Sequence, residues 1–178
     1  MRLSFFKKNQ AASQEELNEK FIAAINSNKP IEKILRTLDN GASINTKLNR
    51  DWLTVNKSCL TVYDGMPALL FSLYNNNSDL TKELLNKGAD VNIANDAGLT
   101  PLMYAAQDNF MQNLAKNLID HGANKNQTDN KGKTAKDYAE EKGLDEMVKL
   151  LSTYEANPPA KQKQTIIKQE MGLANIEF

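Results

Sequence analysis

Glycine recurs in this 178-residue chain at one interval in two separate series. Gly65, Gly98 and Gly132 are spaced by 33 and then 34 residues, and Gly88 and Gly122, each followed by Ala, are spaced by 34. Gly41-Ala42 opens the second series further upstream, at a longer interval. Two independent markers sharing one period define a repeated supersecondary unit, and a unit of this size buries its apolar face only by stacking on copies of itself.

Each unit reads as a pair of helices. Thr100 has the side chain of an N-cap, and Pro101 follows at the first helical position, where the missing N–H costs nothing. Leu102, Ala105 and Ala106 then share one helical face, and a second apolar set, Leu114, Leu118 and Ile119, runs up to Gly122, which supplies the left-handed C-cap. The preceding unit repeats this with Ala68, Leu69 and Leu73, then Leu80, Leu84 and Leu85. The following one uses Thr134, Ala135 and Ala139, then Met147, Val148, Leu150 and Leu151. Between units, Asp90 to Gly98 is polar and rich in turn formers, which suits a short projecting hairpin.

The segments Gly98-Leu99-Thr100-Pro101-Leu102-Met103-Tyr104-Ala105-Ala106 and Leu84-Leu85-Asn86-Lys87-Gly88-Ala89-Asp90-Val91-Asn92 carry a clear resemblance to the ankyrin-repeat family. The resemblance implies an all-α solenoid of stacked helix-turn-helix pairs with projecting β-hairpin loops. It covers residues 14–154 as four units, at about 14–45, 65–92, 98–126 and 132–154. Residues 1–13 are expected as a flexible N-terminus and 155–178 as a partly ordered tail. The first unit has helical runs at Leu17, Phe21, Ile22, Ala24 and Ile25 and at Ile31, Ile34, Leu35 and Leu38, but it lacks the Thr-Pro-Leu start and resembles a degenerate cap. Two other departures stand out. Met103 takes the place where the family usually has His, which puts the tie a histidine makes across that turn in question. One extra residue also sits near Asn109.

Residues 46–64 form an insertion into the first interrepeat link, about 14 residues longer than its later counterpart. It contains the only Trp (Trp52) and the only Cys (Cys59). The runs Trp52-Leu53-Thr54-Val55 and Leu60-Thr61-Val62-Tyr63 flank Asn56-Lys57-Ser58 as two strands of a longer finger would. Either Trp52 and Tyr63 fill a gap on the repeats, or the finger meets a partner, as long loops in compact domains tend to do.

Chemistry is thinly represented. The 22 basic and 22 acidic residues cancel, so no net field gathers nucleic acid or an anionic membrane. One cysteine excludes an internal disulfide and makes a reducing compartment the default. No apolar run approaches the roughly 18 residues a membrane span needs, and the N-terminal apolar stretch, Leu3 to Phe6, is too short for a signal peptide. The lone histidine, His121, stands in a helix-end slot that favours a cation. With one His and one Cys far apart in register, neither a zinc site nor a Cys/His nucleophile pair can be assembled. Gly132-Lys133-Thr134 imitates the end of a phosphate-binding loop, but Gln127 stands where the motif needs glycine. The expectation is therefore no enzyme, no catalytic or metal-binding residues and no cofactor.

What the resemblance implies is a protein-binding module, a monomer or part of a hetero-complex, that grips another protein with its concave face and inserted hairpin. The family's variable, partner-facing slots fall on Asp64, Met66, Tyr74 and Asn75 in the second unit. In the third they fall on Asp96, Leu99, Gln107 and Asp108, beside Ala94 and Ala97. In the fourth they are Asn130, Lys131, Lys133, Glu141 and Lys142, beside Thr128. Trp52 and Tyr63 join them from the insertion. Cytoplasmic residence is expected, with secretion into a host or target cell as the alternative. A second function class is a bacterial immunity or inhibitor protein occluding a cognate toxin, or a secreted effector scaffold, suggested by the short Asn-, Lys- and Ile-rich chain with its single insertion.

Overall fold

The computed structural model describes residues 12–26, 29–47 and 65–155. The predicted strands of the insertion, with Trp52, Tyr63 and Asp64, and the tail from residue 156 lie outside the described residues, as does most of the N-terminal segment. Eight α-helices occur among the described residues: α1 (Gln14–Asn26), α2 (Ile31–Asp39), α3 (Ala68–Tyr74), α4 (Ser78–Asn86), α5 (Pro101–Ala105), α6 (Gln112–Asp120), α7 (Ala135–Glu141) and α8 (Asp145–Thr153). The chain divides into two compact units, residues 1–46 and 47–178.

The first unit is the helix pair α1 and α2, packed on each other around Phe21, Ile22, Ala24, Ile25 and Ile34. It has no Thr-Pro-Leu start because another device begins α1. The Glu16 amide donates to Ser13 Oγ, and the Ser13 amide donates to Glu16 Oε2, each at 3.2 Å. This reciprocal capping box satisfies two of the amides that a helix start otherwise leaves unpaired. Two polar residues of α1 then hold the loop beyond α2: Gln14 Nε2 donates to the Gly41 carbonyl (2.9 Å) and the Ser43 amide to Asn18 Oδ1 (2.7 Å).

The second unit has two layers. The first helices α3, α5 and α7 pack in sequence, as do the second helices α4, α6 and α8. Leu69, Leu73, Leu84, Leu102, Ala105, Leu118, Ala139 and Met147 are almost wholly buried between them. Buried alanines let neighbouring helices approach closely, as the sequence pattern implied. One polar contact lies inside: the Ser72 and Thr81 hydroxyls meet at 2.8 Å, one donating to the other while the acceptor donates to a carbonyl of its own segment (Leu69 for Ser72, Asn77 for Thr81), which links α3 to α4.

Helix ends explain one glycine series. After α4, the Gly88 amide donates to the Leu85 carbonyl and the Ala89 amide to the Leu84 carbonyl. The same pair of bonds follows α2 at Gly41-Ala42 and α6 at Gly122-Ala123. This is the Schellman arrangement, which needs a left-handed residue, and Gly41, Gly88 and Gly122 have φ of 101°, 87° and 91°. The alanine that follows is buried each time, which is why a small apolar residue always follows the glycine.

The other series closes the tips. The Asn95 amide donates to the Leu99 carbonyl and the Gly98 amide to Asn95, and Asp129, Lys133 and Gly132 repeat both bonds. Each is a three-residue hairpin loop with a left-handed glycine at its third position. The expected β-hairpins are thus hairpin turns without strands. The only bridge among the described residues is an isolated one, Lys47 to Pro67.

The capping of α5 settles the Met103 question. The Met103 amide donates to Thr100 Oγ1 at 3.2 Å, and the Thr100 amide donates to Met103 Sδ at 3.4 Å. The tie is made, with a thioether as a weak acceptor. The last repeat makes it with a carboxylate: the Thr134 amide and hydroxyl both donate to Asp137 Oδ2 at 2.7 Å. The extra residue near Asn109 winds into a 3-10 turn, Asn109–Met111, ahead of α6, and leaves Phe110 98% exposed.

Turn glycines of the two series carry different constraints. A Cβ on Gly98 would lie 2.8 Å from the Asn130 backbone nitrogen, and one on Gly88 would meet nothing within 4 Å. Gly88→Ala is therefore expected to cost about 1 kcal/mol from backbone strain alone, and Gly98→Ala about 3 kcal/mol. Urea denaturation of both variants checks this; equal losses would contradict the close approach.

Candidate functional site

The residues proposed from sequence fall into two groups on the second unit. Asp96, Asn130 and Lys131 are exposed at the tips, with Leu99 and Lys133 half-buried beside them. Tyr74, Asn75, Gln107, Asp108, Glu141 and Lys142 lie at or just beyond the ends of the first helices. Asn75 and Lys142 are the C-caps of α3 and α7. Met66 is a correction: it is 2% exposed, and Gly65 and Pro67 on either side of it are buried too, so it belongs to the core and presents nothing to a partner.

The tips are joined across repeats. Asn130 Nδ2 donates to the Asp96 carbonyl at 2.9 Å, and the Asn130 amide donates to the Ala97 carbonyl at 3.1 Å. The Asp96 carboxylate occupies the space over Gly65 that a Cβ would fill, as the Asn130 side chain and backbone do over Gly98. Lower down, Asn92 accepts from the Asn124 amide at 2.7 Å and donates to the Gly122 carbonyl at 3.1 Å.

Along the first helices an aromatic series emerges that the sequence reading missed. Phe71, Tyr104 and Tyr138 occupy the same position, four residues after their N-caps Pro67, Thr100 and Thr134. Phe71 is buried, while Tyr104 and Tyr138 are half-buried and reach the surface. The Tyr104 and Tyr74 rings meet at 6.2 Å between centroids, tilted by 49°. Burial pushes the Tyr104 hydroxyl above its ordinary pKa, with smaller contributions from Tyr74 and the neighbouring Asp108 charge. The signal was present: Tyr104 and Tyr138 are one 34-residue period apart, but an aromatic at helical spacing reads first as core.

In the last repeat the site is closed by its own groups. Asp129 Oδ1 accepts from the Lys131 and Lys133 amides, and its Oδ2 accepts from the Tyr138 hydroxyl at 2.7 Å. The bond from Tyr138 is the main cause holding the Asp129 carboxyl below the usual range. Burial, then Asp129, push the Tyr138 hydroxyl up to about 12. Lys133 Nζ lies 5.7 Å from the Tyr138 ring centroid and 2.6 Å from Glu141 Oε1, and the bond to Glu141 is the main cause raising the Lys133 pKa. Lys133 and Glu141 therefore engage each other. Among the described residues no group of three His, Cys, Asp or Glu side chains is arranged to hold a metal, and no helix is long and apolar enough to cross a membrane. His121 Nδ1 lies 2.8 Å from the Asn117 carbonyl at the end of α6, a local contact within its own helix end.

The family model described as ankyrin repeats, in three copies, matches residues 68–162, more than half the chain. The protein belongs to the ankyrin-repeat family. The matched span covers the three helix pairs from α3 to α8 and starts after the pair α1 and α2. Ankyrin repeats are generally protein–protein interaction modules, so the family implies a protein partner for this chain. No curated protein matches the chain.

The Asp129–Tyr138 bond gives a pH prediction. Asp129 has its pKa depressed by folding, so its contribution is present above the ordinary carboxylate range and is lost as pH falls through the folded value, below about pH 4. Tyr138 is raised, so its contribution is complete below about pH 10 and is lost as pH rises toward about 12. Tyr138→Phe is expected to flatten both limbs of the stability–pH curve measured by urea denaturation. An unchanged curve would mean the bond contributes nothing.

Proposed function

We propose that this protein is a non-enzymatic binding module that holds a partner protein on the surface formed by the tip turns and the first helices of its repeats. The observation that carries the reading is the partly exposed pair Tyr74 and Tyr104 on adjacent first helices, flanked by Gln107 and Asp108. Tyrosine buries a large area at small entropic cost and keeps a hydroxyl for a hydrogen bond, which suits it to protein interfaces. The tip residues Asp96, Asn130 and Lys131 and the end-of-helix residues Asn75, Glu141 and Lys142 form the polar rim. The backbone beneath is pinned by hydrogen bonds between repeats, so little ordering cost is added on binding. A four-repeat domain over residues 14–154, with the inserted segment and its Trp52, Tyr63 and Asp64 as a second contact element, is part of the proposal on sequence grounds. A cytoplasmic setting is inferred from the single cysteine.

Affinity purification with mass spectrometry supplies the partner, and binding measurements on two surface variants test the face. Tyr104→Ala and, separately, Lys131→Glu are each expected to weaken binding about tenfold, roughly 1.4 kcal/mol, with the melting temperature of the exposed Lys131 variant near that of the parent. Unchanged affinity in both would show that the partner sits elsewhere.

A further inference from the structure

The three helix ends that close on a left-handed glycine share a backbone and differ in the residue before it. Lys87 precedes Gly88 and His121 precedes Gly122, whereas Asn40 precedes Gly41 and forms the one Asn-Gly pair in the chain. The cap at Gly41 has φ of 101°, so glycine is fixed there and only the preceding residue is open to change. Asn40 is the C-cap of α2, and both it and Gly41 are exposed.

Asparagine before glycine is chemically labile, because no Cβ crowds the approach of the glycine nitrogen. When the Gly41 nitrogen attacks Asn40 Cγ, an N–Cγ bond forms, the Cγ–Nδ2 bond breaks, and the amide proton leaves with the side-chain nitrogen as ammonia. Water then opens the resulting succinimide at either carbonyl, leaving aspartate or isoaspartate at position 40. One water is consumed, one ammonia is released, and nothing is oxidised or reduced. The folded cap restrains this path. The Gly41 amide donates to the Leu38 carbonyl at 2.9 Å and the Ala42 amide to the Thr37 carbonyl at 3.1 Å. Asn40 has ψ of 3°, which turns the Gly41 nitrogen away from the Asn40 side chain, so ring closure requires the cap to open. Two bonds from α1 oppose that opening: Gln14 Nε2 donates to the Gly41 carbonyl at 2.9 Å, and the Ser43 amide donates to Asn18 Oδ1 at 2.7 Å.

We propose that Asn40 is a site of spontaneous deamidation, with water as the only co-reactant, and that opening of the α2 cap sets its rate. Either product loosens the cap. Isoaspartate routes the main chain through one extra methylene, which displaces Gly41 from the place where its amide meets Leu38 and its carbonyl meets Gln14. Aspartate adds a negative charge at a helix C-terminus, where the macrodipole is already negative and Asp39 is the preceding residue. Lys87 and His121 cannot close such a ring, so the reaction acts on the helix end of the first unit and spares the two glycine-capped ends of the second.

The test is peptide mapping by mass spectrometry of the full chain held in mildly alkaline buffer, beside a synthetic peptide of residues 36–44 under the same conditions. Asn40 is expected to convert about tenfold faster than the other described asparagines of the folded chain, and about tenfold more slowly than in the peptide, where no cap restrains it. Gln14→Ala removes one bond to the Gly41 carbonyl and is expected to speed conversion about threefold. Asn40→Lys copies the residue before Gly88 and is expected to keep the cap and abolish the reaction. In the converted chain, amide hydrogen exchange should quicken at Gly41 and Ala42 and stay slow at Gly88 and Ala89. Conversion at the peptide's own rate, or at an equal rate in Gln14→Ala, would overturn control by the cap. An Asn40 that stays intact after many half-lives of the peptide, or that converts no faster than the other asparagines, would overturn the site itself.

Discussion

Asparagine side chains that reach across a repeat boundary hold the later repeats of the second unit in register. Asn92 accepts from the Asn124 amide and donates to the Gly122 carbonyl, and Asn130 donates to Asp96 while its own amide donates to Ala97. A short helix pair cannot bury its apolar stripe alone, so stacking supplies most of the stability. Apolar faces by themselves tolerate sliding. Bonds from one turn to the next do not, because a shift of one residue leaves several polar groups unpaired.

That constraint explains where freedom remains. With helix ends tied by left-handed glycines and tips tied by asparagine, the side chains that vary are those at the tip crests and on the outer side of the first helices. Within that set the chemistry differs sharply from one repeat to the next. Phe71 is sealed in the core, Tyr104 meets Tyr74 near the surface, and Tyr138 is tied to Asp129 beneath Lys133. One backbone position thus yields a core residue, a half-buried ring at the surface and an internally satisfied cluster.

The architecture was legible because its determinants are local and repeated. Thr100-Pro101 announces a helix start, Gly88-Ala89 a Schellman end, and their 33- and 34-residue spacings a stack. The site was less legible. Met66 was assigned outward by register, but register names a slot and cannot say whether an apolar side chain turns inward there. The Lys133–Glu141 pair was read as two separate partner-facing positions, since the seven residues between them follow a path that only the structure shows. Tyr138 and Asp129 escaped for the same reason. The Met103 thioether also keeps a tie that a family pattern built on histidine did not anticipate.

The most direct measurement is amide hydrogen exchange at Asn124 and Asn130. Both amides lie in turns of exposed residues and donate across a repeat boundary, to Asn92 Oδ1 and to the Ala97 carbonyl. Cross-repeat bonding predicts slow exchange at both in the native protein, and in Asn92→Ala a selective loss of protection at Asn124 with Asn130 still slow. Exchange at the rate of an unstructured peptide at both positions would show that the repeats are not held together in this way.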